Sequence, residues 1–436
     1  MRKYIFIFSI ICLSCQHKTE TLNNEKLLVE IQVENGMKNK VEELKLSDVA
    51  ADIEIIPLET NNESVIGYIF NMATGNESLI FNEMNRVSRF SRTDGKFINT
   101  IGKLGTGPTD FYYCEGVGLD ESKQYIHLFT SPEIKTYDFT GDFVKSVKVA
   151  FPGASMSAEA NPGRDTRTYL YFNNRHILRR MLPVFDGTKD IWQLAMTDTT
   201  GHYFAKYSEP SCVMYQNELN KYNSGGKGFE PEQVGYMWGA NSPVLNRYYN
   251  HVNCLFDSND TIYRYSEKEN ALSPRYILRC GERPSFQDMH QMNKPWDYFK
   301  YIFVVDVLET KDFLYLVAEK DRSSYLLRVD RKNGSIQAIE NKGEIKESKF
   351  MNVRHRKVSN PQFTNDLCGG LPFYPRSQTN NQWIALYEAA DLLEQIDTDN
   401  LKNSDVLLPK KRDQLVQILQ TLKEDDNPVV MIVTLK

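Results

Sequence analysis

The residues of this chain best equipped for chemistry are scattered. Its seven histidines form neither H-x-x-x-H nor H-E-x-x-H, so the spacing that places two imidazoles on one helix face for a zinc hydrolase does not occur. His127 sits on an alternating strand and reads as structural; His176, in NNRHILRR, and His251, in RYYNHVN, are the two placed to face a central cavity, although lone histidines more often serve as satisfied structural groups. Carboxylates are plentiful, but a glycosidase needs two of them held roughly 5–10 Å apart, a separation only the fold can set. The turns RTDGKF and YDFTGDF lack the S-x-D-x-G-x-x-W box of sialidases, and no G-x-S-x-G nucleophile elbow is present. Gly102, Gly105 and Gly107 before Pro108 imitate a phosphate cradle, yet no helix follows, and Phe111-Tyr112-Tyr113 reads as the next strand. Those glycines are better explained as a tight connection between two sheet units, where positive φ and close backbone approach are required. The positive signal for binding is aromatic. Tyr236, Trp238, Tyr248, Tyr249 and Trp296, with Tyr298 beside it, fall in or next to expected loops, where flat rings with polar tips stack on sugars or grip peptides. Their ordinary alternative is packing of large loops onto the rim of the fold.

The elements that must position these residues are repeated. SLIFNEMNRVSRFSRTDGKFINTIG from Ser78 and QYIHLFTSPEIKTYDFTGDFVKSVKV from Gln124 share one order: an apolar run, a turn, a second run, a glycine turn and a third run. Their turn glycines, Gly95 and Gly141, stand 46 positions apart, close to the roughly 40–50 residues of one four-stranded propeller blade. Further copies are expected in IWQLAMTDTTGHYFAKY, with Gly201 in the turn, in CLFDSNDTIYRYS with the PRYIL that follows, and in FLYLVAEKDRSSYLLRVDRKNGSIQAIE with its Asn333-Gly334 turn. Gly141 and Gly201 lie 60 residues apart, so insertions share the length with the blades, the most evident being 206–249. Leu386, Ala389, Ala390 and Leu393, and again Leu415, Ile418, Leu419 and Leu422, recur at helical spacing and predict two helices packed on the last blade. IEIIPLE near the start and VVMIVTL at the end are suited to close a ring by sharing one sheet, and Pro57 fits an edge strand.

The first residues bear on location. Met1-Arg2-Lys3 precedes ten uncharged residues, Tyr4 to Leu13, and then Ser14-Cys15, the pattern of a secretory signal too short to span a bilayer. Cys15 is the expected lipidation site, with 1–14 as signal peptide, 15–44 as a flexible tether and 45–436 as the propeller. A net charge of −5 gives no basic field for a nucleic acid. The remaining cysteines, Cys114, Cys212, Cys254, Cys280 and Cys368, are irregularly spaced and form no C-x-x-C, so no zinc knuckle is indicated and no disulfide pairing can be read.

On LSDVAADIEIIPLET, TDGKFINTIGKLGTGPTDF, TYDFTGDFVKSV, NDLCGGLPFYPR and LKEDDNPVVMIVTLK, the chain resembles the six-bladed β-propeller lipoproteins of Bacteroidetes, a group related to NHL-repeat propellers. The resemblance runs from about Lys45 to Lys436 and is weakest between Phe151 and Tyr249. It implies six blades and an exported, lipid-anchored protein, and brings no catalytic residues. The expected fold is therefore an all-β six-bladed propeller with four-stranded antiparallel blades and a few helices near the C-terminus. The expected function is that of a binding or scaffold module in the cell envelope, held to the membrane through its lipid and presenting loops to an envelope protein, peptide or glycan, with no nucleic acid partner and no cofactor. The alternative is a propeller lyase or hydrolase acting on a polysaccharide or a lactone-like substrate at the channel mouth, to which a channel metal would require ligands converging from several blades. Three or more ionisable groups from different blades converging on one point would favour the enzyme; a channel lined by apolar and amide side chains would favour binding.

Overall fold

The computed structural model describes residues 28–149, 169–180, 192–208, 244–256, 259–283, 300–348, 353–357 and 359–436. The strand text folds into six four-stranded antiparallel sheets arranged as the blades of a propeller. Blade 1 holds β3 (Asn71–Thr74), β4 (Ser78–Asn82), β5 (Val87–Ser91) and β6 (Phe97–Thr100). Blade 2 holds β7 (Gly116–Asp120), β8 (Tyr125–Phe129), β9 (Glu133–Asp138) and β10 (Phe143–Lys148). Blade 3 is β11 (Tyr169–Asn173), β12 (His176–Arg180), β13 (Leu194–Thr197) and β14 (Tyr203–Tyr207). Blade 4 is β15 (Val244–Tyr248), β16 (His251–Leu255), β17 (Thr261–Ser266) and β18 (Ala271–Leu278). Blade 5 is β19 (Phe303–Glu309), β20 (Phe313–Lys320), β21 (Ser323–Asp330) and β22 (Ile336–Lys342), followed by a separate hairpin of β23 (Glu344–Ser348) and β24 (Val353–Lys357). Blade 6 is composite. Its β25 (Ser377–Gln378), β26 (Gln382–Tyr387) and β27 (Val429–Leu435) come from the C-terminal end, and β2 (Ala50–Pro57) pairs antiparallel with β27 as its outer strand.

The apolar pattern shows why these sheets form a ring. Alternate residues of β27 point to opposite faces. Val429, Met431 and Val433 join the core between blades 5 and 6, while Val430 and Ile432 join the core between blades 6 and 1. Every other seam has its own cluster: Ile80, Ile126 and Tyr137 between blades 1 and 2; Phe129, Tyr169 and Ile177 between 2 and 3; Leu178, Met196 and Val252 between 3 and 4; Ile262, Leu278 and Leu316 between 4 and 5. At roughly 1.5–3 kcal/mol for each fully buried large aliphatic or aromatic side chain, these seams hold the ring.

The repeated turn is built to a rule. Asp138 Oδ1 accepts the N–H groups of Thr140 (2.9 Å) and Asp142 (3.0 Å), and Asp198 Oδ1 repeats this with Thr200 (2.8 Å) and His202 (3.0 Å). The glycine that follows has positive φ, +89° at Gly141 and +79° at Gly201, and presses on the end of the preceding blade's outer strand, at the carbonyls of Thr100 and Lys148. A side chain at either glycine would meet both obstacles.

Four sequence expectations are corrected. The segment 15–44 is not tether throughout. β1 (Val29–Ile31) adds a parallel fifth strand to the edge of β18, and α1 (Val33–Gly36) follows. Val41 N–H then bonds to Ala338 O (2.9 Å) on blade 5, and Leu46 N–H to Thr364 O (2.9 Å) beside blade 6. Ile31, Val33, Met37, Leu44 and Leu46 are buried, sparse anchors in a polar run that make it a strap across three blades. Phe111-Tyr112-Tyr113 does not start the next strand: Phe111 only bridges Leu104, the two tyrosines are exposed, and β7 begins at Gly116. The insertion expected at 206–249 is shorter, because Lys206 and Tyr207 end β14 and Val244–Tyr248 is β15. Leu386 belongs to β26, and the helix beginning after it, α2 (Ala389–Gln395), buries Ala389 and Leu392 instead. A short α3 (Thr398–Lys402) precedes α4 (Pro409–Thr421), whose Leu415 and Leu419 are buried as the spacing predicts. Cys114, Cys254, Cys280 and Cys368 are buried free thiols, and Cys212 lies outside the described residues.

Candidate functional site

Each blade sends its first strand down the axis and turns back through a hairpin, so all six first hairpins lie on one face of the ring. There the axis opens into a cavity of about 450 Å³, within the usual range for small-ligand sites of roughly 300–1,000 Å³. Its wall draws on the hairpins of blades 1, 2, 3 and 6 and on Arg247 of β15. Blade 5 is screened off because blades 4 and 6 join across its front: the Asn246 amide donates to Gln378 Oε1 (2.6 Å), and Tyr249 N–H donates to Asn380 O (3.1 Å). Deeper in, a smaller cavity of about 80 Å³ continues the channel, sharing Thr74, Leu119, Tyr171, Arg247 and Thr379 with the outer one. Gly116 and Gly118 of β7 keep this passage tight: a Cβ on Gly118 would lie 2.6 Å from the Tyr171 ring.

Amides dominate the mouth. Asn76 comes from blade 1, Asn173 and Asn174 from blade 3, and Asn380, Asn381 and Gln382 from blade 6. Its charged lining residues are Asp120 and Glu121, both on blade 2, and Arg247. Asp120 is fully committed: Ser122 Oγ (2.6 Å) and Lys123 N–H (3.3 Å) donate to one oxygen, and the Asn174 amide donates to the other. Burial pushes its pKa up, but these donors outweigh burial and hold the carboxyl below its ordinary value. Such a group stays ionised and has no proton to give near neutral pH. Glu121 accepts Glu77 N–H at 3.0 Å.

Asn174 is positioned from behind. Tyr171 OH donates to its Oδ1 (2.8 Å), and His127 Nε2 reaches the same oxygen at 3.3 Å while its Nδ1 meets the Thr136 hydroxyl at 3.0 Å. Burial lowers the His127 pKa to about 4, so the ring is neutral, with Nε2 donating and Nδ1 accepting. On the opposite wall Arg92 plays the same part. Its guanidinium donates to Gln382 Oε1 (3.0 Å), Gly75 O (2.8 Å) and, by two bonds, Glu54 (2.6 and 3.1 Å), fixing the blade 1 hairpin against blade 6.

The sequence candidates separate on this map. Tyr236, Trp238 and Trp296, with Tyr298, and the lipidation residue Cys15 lie outside the described residues. Tyr248 is buried in the core between blades 5 and 6, so its ring offers no ligand surface. Tyr249 is exposed at the rim, its N–H on Asn380 O. His127 is buried in blade 2. His176 faces a seam instead of the cavity, with Nδ1 3.1 Å from Asn173 Oδ1 and the Tyr265 ring beside it. His251 also lies in a seam, 3.0 Å from Glu309.

Glu309 had no sequence signal. Wholly buried at the end of β19, it accepts from His251, the Asn253 amide (2.5 Å) and Arg264 (2.8 and 2.9 Å), and is ion-paired with Arg331 at 3.1 Å. Burial raises its pKa, but the His251 hydrogen bond and the two guanidinium groups bring it down to about 2. This is an ionic joint between blades 4 and 5. The amide mouth was written in the sequence as Gly75-Asn76, Asn173-Asn174 and Thr379-Asn380-Asn381-Gln382, one turn from each of three repeats. Read as turn formers, these residues hide their convergence. Among the described residues no group of three or more His, Cys, Asp or Glu side chains is placed to hold a metal ion.

Residues 28–434 match the model of a family described as a domain of unknown function, DUF4934. The chain belongs to that family. Among curated proteins none matches it. Of solved structures, a Bacteroides fragilis protein described as exported is similar at 15% identity and a TM-score of 0.58, covering 94% of this chain and 100% of its own. A member of the DUF4221 family from Bacteroides vulgatus is similar at 13% identity and a TM-score of 0.42, over 69% of this chain and 87% of its own. The first likeness shows the fold, the six-bladed propeller that the DUF4934 chain adopts.

Proposed function

We propose that this DUF4934 protein is a binding module of the cell envelope, exported, held on a membrane through a lipid on Cys15, and that the channel mouth is its ligand site. One observation carries the reading: six amide side chains from three blades converge on the mouth, whereas its charged groups come from two blades and the buried carboxylate among them is already saturated. Amides donate and accept at fixed positions without moving protons, which suits recognition better than acid–base catalysis. The alternative of a lyase or hydrolase needs ionisable groups from several blades at one point, and the described mouth does not supply them. A likeness to a protein described as exported agrees with the apolar leader before Cys15.

The test is binding by the purified full chain to arrays of glycans, peptides and envelope proteins, compared with the double substitution Asn76→Ala, Asn381→Ala, in which neither side chain has a hydrogen bond to lose among the described residues. The reading expects a ligand whose binding the double variant loses with an unchanged melting temperature. Binding that survives the substitution contradicts it. Membrane fractionation of Cys15→Ser tests the anchor, with release into the soluble fraction expected.

A further inference from the structure

We infer that the mouth recognises the uncharged terminal sugar of a glycan. This inference rests on the mouth being the ligand site and names the chemistry of its occupant. The argument starts from which amide atoms are already in use. Asn173 Oδ1 accepts the N–H groups of Arg175 (2.9 Å) and His176 (3.0 Å), and Gln382 Oε1 accepts from Arg92 (3.0 Å). Pinning both carbonyl oxygens leaves the two NH₂ groups, on blades 3 and 6, without a hydrogen-bond partner among the described residues. Asn76 and Asn381 keep both amide ends unbonded among the described residues. Thr74 Oγ1, at the junction of the outer and inner cavities, is buried with no hydrogen-bond partner among the described residues.

The buried Thr74 hydroxyl lacks a partner among the described residues, a cost that an occupant bonding to it would return, and the Asn173 and Gln382 NH₂ groups line the cavity as donors oriented in advance. An occupant rich in oxygens that accept from donors held on opposite walls, and that also donate to the Asn76, Asn381 and Thr74 oxygens, is a polyol ring. Charge selects among such rings. Asp120 and Glu121 share the wall, so an anionic sugar meets two carboxylates against the single guanidinium of Arg247, whose CZ is drawn onto the Phe172 ring, 4.8 Å from its centroid. Size selects the end of a chain, since the mouth closes onto the 80 Å³ inner cavity. Tyr249, exposed beside Asn380, is placed to meet the next residue outward.

The substitutions Asn173→Asp and Gln382→Glu test this without removing any bond that builds the site, because each keeps its pinned oxygen and turns only the outward NH₂ into a carboxylate oxygen. The full chain is titrated by calorimetry with neutral oligosaccharides ending in glucose, galactose, mannose or xylose, with uronate-ended counterparts, and with short peptides. The inference expects a neutral-ended saccharide to bind at least about tenfold more tightly than its uronate counterpart, and each substitution to weaken it by about tenfold or more, the loss of one good hydrogen bond, with melting unchanged. Tighter binding of the uronate, no saccharide binding at all, or saccharide binding indifferent to both substitutions overturns the inference. Peptide binding that is lost in Asn76→Ala, Asn381→Ala overturns the sugar while leaving the mouth as the site. Binding of any ligand indifferent to that double variant overturns the site itself.

Discussion

Replacing Glu309 with glutamine removes one carboxylate from the seam between blades 4 and 5, where three side chains donate to it and Arg331 pairs with its charge. In the folded protein its pKa falls from 4.5 to about 2, a depression worth about 3 kcal/mol at roughly 1.4 kcal/mol per unit. The substituted amide keeps one acceptor oxygen for those donors and points an NH₂ among them, so the loss falls in the range of about 3–5 kcal/mol for breaking a buried pair. About 320 described residues at ~2.1 cal/mol/K each give an unfolding entropy near 0.67 kcal/mol/K, so a loss of about 3 kcal/mol lowers the melting temperature by about 4–5 °C. The sign with pH follows from the depressed value. The carboxylate contributes fully above its unfolded pKa of 4.5, and the contribution fades as pH falls through 4.5 towards 2. Scanning calorimetry of both proteins from neutral pH downward reads this directly: the gap in melting temperature is constant above pH ~5 and narrows below it. A gap under about 1 °C at neutral pH, or one that stays constant into acid, refutes the reasoning.

Other outcomes follow from the same geometry. Gly118→Ala places a methyl 2.6 Å from the Tyr171 ring, so it costs about 1–3 kcal/mol and lowers ligand affinity through displacement of Tyr171, read by thermal melting and titration. Arg92→Ala removes the clamp joining Glu54, Gly75 and Gln382, and lowers stability by about 1–3 kcal/mol, discounted because Glu54 is partly in water. His127, with a folded pKa of about 4 against 6.5 unfolded, stays neutral at pH 6 with the proton on Nε2, which nitrogen chemical shifts of the ring report. Its contribution is complete above pH 6.5 and is lost as pH falls towards 4. Val33→Asp buries a carboxylate in the core between blades 4 and 5, costs several kcal/mol and loosens the N-terminal strap, seen as early hydrogen exchange across 29–46.

The blades were legible because their signals are local. A polar turn with a glycine at positive φ and apolar runs on both sides recurs where the third strand hands over to the fourth in blades 1, 2, 3 and 5, at Gly95, Gly141, Gly201 and Gly334. Pro57 stands at the end of an outer strand, where a missing N–H costs the ladder nothing. The strap was not legible. Its five anchors are spread through sixteen residues of mostly polar text and are buried in two different seams, Ile31, Val33 and Met37 between blades 4 and 5 and Leu44 and Leu46 between blades 5 and 6. The binding mouth was hidden for a similar reason. Asn76, Asn173 and Asn381 are ordinary turn residues until the ring brings three hairpins together, and no window of sequence contains more than one of those hairpins. Aromatic content pointed to Tyr248 as readily as to Tyr249, although only the latter is exposed; which of two adjacent tyrosines faces the core is decided by the register of β15 against β16, where Tyr248 pairs with His251.

A crystal structure of the full chain with a neutral-ended oligosaccharide bound tests the central claim most directly. The account predicts the terminal ring seated between Asn173 and Gln382, with hydroxyls on the NH₂ groups of both and on Thr74. A saccharide seated on the opposite face of the ring, with the amide mouth holding none of it, contradicts the account.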